Sequence, residues 1–274
     1  MSRYVAFLDI LGFKDTMKLL RQGEAENYIL GFSSLLYNAW KDKGLDCDKG
    51  LKGFIVSDSV IIHTSSASLD SLQVLLDLII EICRRCFSEK GIMLRCAISK
   101  GEYSHLDAAI SFDNLKKGLI VGEAYIDAIK MESSSKTSAI IVSKAVAQDV
   151  RELSNGEYSI YEEKQKDSTN SLIKWLSLDY LLSKENLEKY CKIATQSNWL
   201  PVYYNTLYLC FHRENNRKKR DQILYDILSI LRKQDESGYL ALDKFIQNSF
   251  NEDVNTRYQQ MFTRFLRECL TCGS

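Results

Sequence analysis

Two acids stand where acids are out of place. Asp9 interrupts the apolar run Tyr4-Val5-Ala6-Phe7-Leu8-Asp9-Ile10-Leu11, which Gly12 ends, and Asp58 sits between Ser57 and Ser59 in the β-rich stretch FIVSDSVII. A lone ionised carboxylate among such neighbours costs several kcal/mol unless a partner meets it. Taken singly, each has an ordinary use, since an acid in a hairpin turn shapes the turn. Taken together, two carboxylates at neighbouring strand ends form an oxygen site for a hard divalent cation such as Mg²⁺ or Mn²⁺. Such ions keep waters and add phosphate oxygens as ligands, so the pair suits a nucleoside triphosphate. Gly12 lets the backbone after Asp9 approach phosphate closely, and the helix that follows offers its N-terminus.

Other residues carry weaker signals. Arg95 is flanked by Leu94 and Cys96 in a strand pattern, so its guanidinium must point to an anion, either triphosphate or a structural acid. Lys14 follows the first motif and reads as an exposed helix-start lysine. His63, His105 and His212 are scattered without metal spacing, and Ser57 and Ser59 lack an adjacent histidine base. The pairs Cys83/Cys86 and Cys269/Cys272 have CxxC spacing, but the first lies inside an apolar helical pattern and no histidine assists, which favours packing over zinc. The basic run from Arg213 to Arg220 reads as a solvated interhelix loop.

The elements that must position these residues follow from periodicity. Residues 4–11 read as a buried strand and Lys14 to about Lys41 as one helix. Phe54–Val56 and Val60–His63 form a hairpin whose tip carries Asp58, and Ser68 or Asp70 caps a helix reaching about Ser88. A strand at Met93–Ile98, a looser stretch with Gly118 and Gly122, and a helix over Ala124–Glu132 come next. Strands at Ala139–Val142, Tyr158–Tyr161 and Ser171–Leu178 complete this part, giving a βαββαβ order with additions and helices over one face of a sheet. After about Asp179 the pattern is helical almost throughout, from Asn186–Thr195 to Arg257–Leu270, with no fixed repeat.

At 274 residues, with 45% hydrophobic and 26% charged residues, the chain has a globular composition and room for one large or two ordinary domains. Its formal net charge of +0 supplies no global field toward nucleic acid or an anionic membrane, and neither is an expected partner. The longest apolar stretch, around Leu75 to Cys83, is broken by Asp77 and Glu81 and does not span a bilayer. The N-terminus lacks a signal-peptide pattern and the cysteines form no disulfide framework, so the expected location is cytoplasmic.

Over roughly residues 3–180 the sequence resembles the class III nucleotide cyclases. FLDILGF resembles their first metal motif, FIVSDSVII their second metal hairpin, LRCAISKGEY the strand and glycine after their second helix, and GEAYIDAIKMES the helix that usually carries an Asn and an Arg. The wording is closest to the pyrimidine nucleotide cyclases of the bacterial Pycsar antiphage system. The resemblance implies an α+β, ferredoxin-like (split βαβ) cyclase domain over residues 1–180, followed by an all-helical C-terminal extension, 181–274, of unknown role. It implies two divalent metal ions, Mn²⁺ or Mg²⁺, held by Asp9, Asp58 and the backbone carbonyl of Ile10. Phe7, Leu11, Gly12, Phe13, Phe54, Leu119, Ile126 and Arg95 would line the nucleotide. Asp9, Asp58 and Lys130 would be the catalytic residues.

The departures matter as much. Phe54 stands where purine cyclases carry a base-reading Lys, and Leu119 where they carry a base-reading Asp. Ile126 replaces the ribose-orienting Asn and Lys130 the transition-state Arg. A pocket with Phe54 and Leu119 cannot make the usual hydrogen bonds to adenine, so the substrate implied is UTP or CTP and the product the 3′,5′-cyclic nucleotide. Because the family's site forms between two catalytic domains, one domain per chain implies a head-to-tail homodimer, with Lys130 reaching the partner's Asp9 and Asp58. The family's product acts on a separate effector. Two other readings compete: a degenerate cyclase-fold module that senses a nucleotide without catalysis, and a purine cyclase with a rearranged base pocket.

Overall fold

The structure is a computed structural model that describes residues 1–45, 50–107, 118–135, 137–153, 158, 160–164 and 169–176, with the single residues 193, 202, 206 and 218 beyond them. The chain divides into two compact units, Met1–Trp175 and Leu176–Ser274. The expected C-terminal helices and Cys269/Cys272 lie outside the described residues, as does the basic run apart from Lys218. In the second unit Val202 and Thr206 are helical, and the Thr206 hydroxyl donates to the Val202 carbonyl one turn back at 2.7 Å.

The first unit is built on strand β1, Ser2–Ile10. Tyr4, Val5, Ala6, Leu8 and Ile10 are all buried, so both faces of this strand are covered and its sequence reads as a run rather than an alternation. Two helices follow, α1 over Phe13–Leu19 and α2 over Gln22–Asp42, where the periodicity predicts one. The break has a local cause: Arg21 is extended, and its N–H donates to the Glu24 carboxylate at 2.8 Å, starting a new helix. Strands β2 (Leu51–Val56) and β3 (Ser59–Thr64) form the expected hairpin. Helix α3, Leu69–Lys90, starts where the Ser68 hydroxyl accepts the Ser71 N–H and ends at Gly91, whose φ of 67° is left-handed.

Strand β4, Leu94–Glu102, is followed by a short ribbon of β5 (Ser104–Asp107) and β6 (Gly118–Val121) that the sequence reading left as a loose stretch. Helix α4 spans Glu123–Ser134, β7 Ile140–Val142, α5 Lys144–Leu153, β8 Ile160–Lys164 and β9 Thr169–Ile173. The main sheet runs β2-β3-β1-β4-β7-β9-β8, with β4 and β7 parallel and every other pair antiparallel. Helix α5 was not expected from the pattern.

Pairing register decides which residues share a face. Arg3, Val5, Phe7 and Asp9 of β1 lie on one side, with Ser59, Ile61 and His63 of β3 and Arg95, Ala97 and Ser99 of β4 opposite them. On the other side, Tyr4 donates to the Asp149 carboxylate of α5 at 2.8 Å, Lys100 holds the same carboxylate at 2.7 Å, and Trp40 of α2 packs on Gly53. Helix α3 joins that layer through Arg85, which pairs with Asp42 of α2 at 2.8 Å.

Helix α4 departs from the expectation of helices over one face. It lies on the Asp9 side, seated where a Cβ on Gly101 of β4 would come within 3.4 Å of the Ala124 nitrogen, and Arg95 meets Glu132 there. Gly122, at its start, has φ of 150°, and a Cβ there would collide with the Glu102 carbonyl and the Tyr103 backbone. Both strain and overlap oppose a side chain at this position. Gly122→Ala should therefore lower stability by at least about 2 kcal/mol, read as a fall in the urea midpoint; an unchanged midpoint would show that α4 is not held by this seat.

Candidate functional site

Three strands bring one rank of side chains together. Asp9 pairs with Ser59 on β3 and with Arg95 on β4, so its carboxylate has a neighbour on each side. Ser59 donates to Asp9 Oδ1 at 3.1 Å and Arg95 Nη2 to Oδ2 at 3.0 Å. The sequence reading gives Asp9 a metal as partner; in the structure Arg95 also meets it, and this guanidinium points at the acids Asp9 and Glu132. Its Nε lies 2.7 Å from Glu132 Oε1, an ion contact without hydrogen-bond alignment.

Asp58 reaches the rank from the hairpin tip. Its carbonyl accepts the Ile10 N–H at 3.2 Å, while the Leu11 N–H donates to Met93 at 2.9 Å, so the end of β1 is fixed on both sides. Ser57, just before it, has φ of 59°, a left-handed conformation uncommon outside glycine. Gly12, with φ of 69°, supplies the turn into α1, and its carbonyl accepts the Asp15 and Thr16 N–H groups.

The electrostatics follow from three carboxylates around one arginine. Burial holds the Asp9 carboxyl above its ordinary range; Arg95 and Ser59 pull it down, and the Asp58 charge pushes it up. Glu132 is 4% exposed, and burial pushes its carboxyl up to about 7 against the pull of Arg95, with Asp9 and Asp58 adding repulsion. Burial also raises the Tyr28 phenol of α2, and Cys86 and Asp58 add to it, which puts Tyr28 within the field of the site.

This donor set fits a divalent cation in its chemistry. Asp9 and Asp58 are hard oxygen ligands whose mutual repulsion a cation would relieve, and the Arg95 contact to Asp9 would have to yield to it. Among the described residues no group of three or more His, Cys, Asp or Glu side chains is placed to hold a metal by itself, so waters or substrate oxygens would complete the shell. Cys83, Cys86 and Cys96 are buried free thiols held above their ordinary range by burial, in keeping with packing.

The remaining expected residues are placed as follows. Ile10 and Leu11 are buried in the turn beside Asp9, Phe13 opens α1 half-buried, and Phe7 makes an edge contact with Tyr125 on α4, ring centres 6.4 Å apart. Lys130 and Ile126 lie one turn apart on the exposed side of α4, Ile126 50% exposed, and Lys130 makes no ion pair among the described residues. Leu119 pairs with Leu106 in the β5–β6 ribbon. Phe54 sits on the Asp9 face, level with Ile61 and Phe7, its ring centre 4.3 Å from that of His105 and 6.0 Å from that of His63. Two histidines scattered in sequence thus come together. An apolar cavity of about 240 Å³ lies between the hairpin and helices α2 and α3, with Phe54 at its edge; its lining carries no carboxylate or cation.

Glu132 and Tyr28 were missed from sequence. Glu132 follows Lys130 by two positions in a helix motif read only for its Asn and Arg places, and Tyr28 was counted among apolar helix positions.

No protein-family model matches the chain, and no curated protein matches it. Solved structures do. The guanylyl cyclase domain of the RhoGC fusion protein from the aquatic fungus Blastocladiella emersonii, crystallised as a double mutant, superposes with a TM-score of 0.51 at 14% identity, over 63% of this chain and 93% of that one. The fold is that of a class III nucleotide cyclase domain. The guanylate cyclase domain of RhGC from Catenaria anguillulae, in complex with GTP, gives 0.49 at 15% identity, over 63% and 94% of the two chains. A bacterial light-regulated adenylyl cyclase gives 0.48 at 10% identity, over 69% and 97%. No helix among the described residues is long and apolar enough to cross a membrane.

The raised Glu132 carboxyl has a consequence for stability. Between its ordinary value of 4.5 and about 7 the folded chain keeps a proton that the unfolded chain has given up. The contribution of this group therefore falls as pH rises through that window. Glu132→Gln removes the dependence, so the urea midpoint of the variant should gain on that of the wild type between pH 5 and pH 8. A gap constant with pH would mean that Glu132 is ionised in the folded chain throughout.

Proposed function

We propose that this chain is a metal-dependent nucleotide cyclase that converts a pyrimidine nucleoside triphosphate, UTP or CTP, into its 3′,5′-cyclic monophosphate and pyrophosphate. The observation that carries this is the adjacency of Asp9 and Asp58, two repelling carboxylates at the ends of β1 and the β2–β3 hairpin, in a cyclase fold. A divalent ion bound there supplies the positive charge that makes the ribose 3′-oxygen nucleophilic and neutralises the leaving pyrophosphate. The protein's own task is then position rather than proton transfer. Ser59 fixes the rotamer of Asp9, the Asp58 carbonyl ties the hairpin to β1, and Gly12, with no Cβ, makes the left-handed turn into α1 and leaves room for phosphate. Arg95, released from Asp9, stays within reach through Glu132 and presents a bidentate guanidinium to phosphate.

Lys130 supplies a point charge to the transferring phosphate from a second copy of the chain, paired head to tail. Its exposure on α4, with that of Ile126, supports this reading, because both are free for a partner to meet. Phe54 in place of a base-reading lysine supports a pyrimidine, which stacks on an aromatic face and asks for less room than a purine. The resemblance to the Pycsar cyclases supports a role as the signal-producing component of an antiphage response. One observation favours the alternative of a nucleotide-sensing module: Arg95 meets Asp9 where a catalytic cation would bind.

Incubation of the purified chain with each of the four ribonucleoside triphosphates and Mn²⁺, followed by identification of the products, separates these readings. Cyclic UMP or cyclic CMP is expected, with ATP and GTP poor substrates, and Asp58→Asn should lose at least about 100-fold in turnover while remaining folded. No product from any triphosphate would leave the sensing module, and ATP turnover equal to that of the pyrimidines would overturn the base assignment. Lys130→Ala should lower kcat more than it raises KM, since its charge meets phosphate oxygens whose charge grows in the transition state.

A further inference from the structure

The face that carries Asp9 continues along β1 into a cluster with unmet polarity. Rank by rank, Asp9 lies opposite Ser59, Phe7 opposite Ile61 with Phe54 beyond it, and Val5 opposite His63 with Lys52 beyond it. Phe54 and His105 are half-buried and form the outer layer, with ring centres 4.3 Å apart. Behind them, His63 and Tyr103 are 2% and 1% exposed, with ring centres 4.6 Å apart. Arg3 joins from the next rank, its Nη1 at 3.3 Å from His63 Nδ1.

Six buried side-chain polar atoms lack a hydrogen-bond partner among the described residues, and three of them meet here: Arg3 Nε, His63 Nε2 and the Tyr103 hydroxyl. A buried group left unpaired costs roughly 1–3 kcal/mol, so three at one place, next to a half-exposed aromatic face, mark a site whose ligand brings the partners. Their chemistry is biased. Arg3 Nε can only donate, and the Tyr103 hydroxyl is free to donate. His63 is kept neutral by burial. When its Nδ1 accepts from Arg3, its Nε2 carries the hydrogen and also donates; the Thr64 carbonyl, 3.2 Å from Nδ1, competes for that nitrogen.

We propose that Phe54, Tyr103, His63 and Arg3 form a nucleobase subsite in which a uracil ring stacks on Phe54 and its carbonyl oxygens accept from the donors behind. The inference rests on the nucleotide-binding reading of this face and adds what that reading lacked, the polar groups that tell one pyrimidine from another. Uracil presents two carbonyl oxygens where cytosine presents one and an amine. Position 4 accepts in uracil and donates in cytosine, so a donor meeting that position favours uracil, and hydrogen bonds discriminate more sharply than apolar fit. His105, beside Phe54, shifts with it to admit the ring.

The test reads binding and turnover separately on the whole 274-residue chain. UTP and CTP are titrated calorimetrically with Ca²⁺ present, and both are assayed for product with Mn²⁺. Tyr103→Phe removes one oxygen and keeps the ring, so its urea midpoint should stay or rise. We expect it to weaken UTP binding about tenfold or more, from a lost hydrogen bond, while CTP binding changes less than threefold; Arg3→Met should do the same. If both variants keep the wild-type ratio of UTP to CTP affinity, or if the wild type binds CTP at least as tightly as UTP, the subsite is wrong. Absence of product from every triphosphate overturns the cyclase reading alone, because the binding ratios still decide the subsite.

Discussion

A half-buried carboxylate with one guanidinium and two competing acids around it is the constraint on which the rest of this unit turns. Asp9 is met by Arg95 at 3.0 Å, but Arg95 also answers Glu132 at 2.7 Å, and Asp58 lies close enough to push both acids up. Three acids against one arginine leave a deficit of positive charge in a place where burial makes charge expensive. Burial pushes the Glu132 carboxyl up to about 7, with Asp9 and Asp58 adding to it, and its protonation relieves part of the deficit. The other remedy is a cation. An apolar replacement at Asp9 would remove the cost altogether, so the sequence keeps the acid at the expense of stability, as functional sites do.

The arrangement depends on strand register more than on any local motif. Asp9, Ser59 and Arg95 meet because they occupy one rank across β3, β1 and β4. A slip of one residue in β1 would put Asp9 against the α2–α3–α5 layer and Leu8 on the site face. Glycine fixes the opposite wall: Gly101 and Gly122 have no Cβ where α4 crosses the sheet, and that closeness puts Glu132 on Arg95. Backbone geometry and site electrostatics are therefore coupled through α4.

The sequence made some of this legible and hid the rest for physical reasons. The hairpin, the Ser68 cap and the end of α3 were readable because they follow from residues close in the chain. Asp9 and Asp58 were readable because an acid in an apolar stretch needs an explanation. Arg95 as a further partner of Asp9 was hidden, since it comes 86 residues later and only β1–β4 pairing joins them. His63 and His105 looked unrelated for the same reason, as they meet through Phe54. The side of the sheet that α4 would take was hidden too, because its own apolar pattern does not say which face receives it. The break at Arg21 was missed because periodicity alone ignores capping.

An open face must be covered if its electrostatics are to work. Charges act strongly on a phosphate only where water is excluded, and a sheet face bounded by one helix does not enclose a ligand. Around this face Val56, Val121 and Ile126 are exposed apolar side chains. Along β1, Phe54 stands level with Phe7, two residues or about 6.6 Å from the rank of Asp9 and two strands, about 10 Å, across the sheet. On the proposed reading one chain carries both ends of a nucleotide site, carboxylates and aromatic floor, side by side on a surface rather than facing one another. A second copy turned head to tail would lay the aromatic floor of one over the carboxylates of the other. It would cover the exposed valines and bring Lys130 from outside, so that the proposed pairing accounts for the exposure of those residues and for the split between the two ends of the site together.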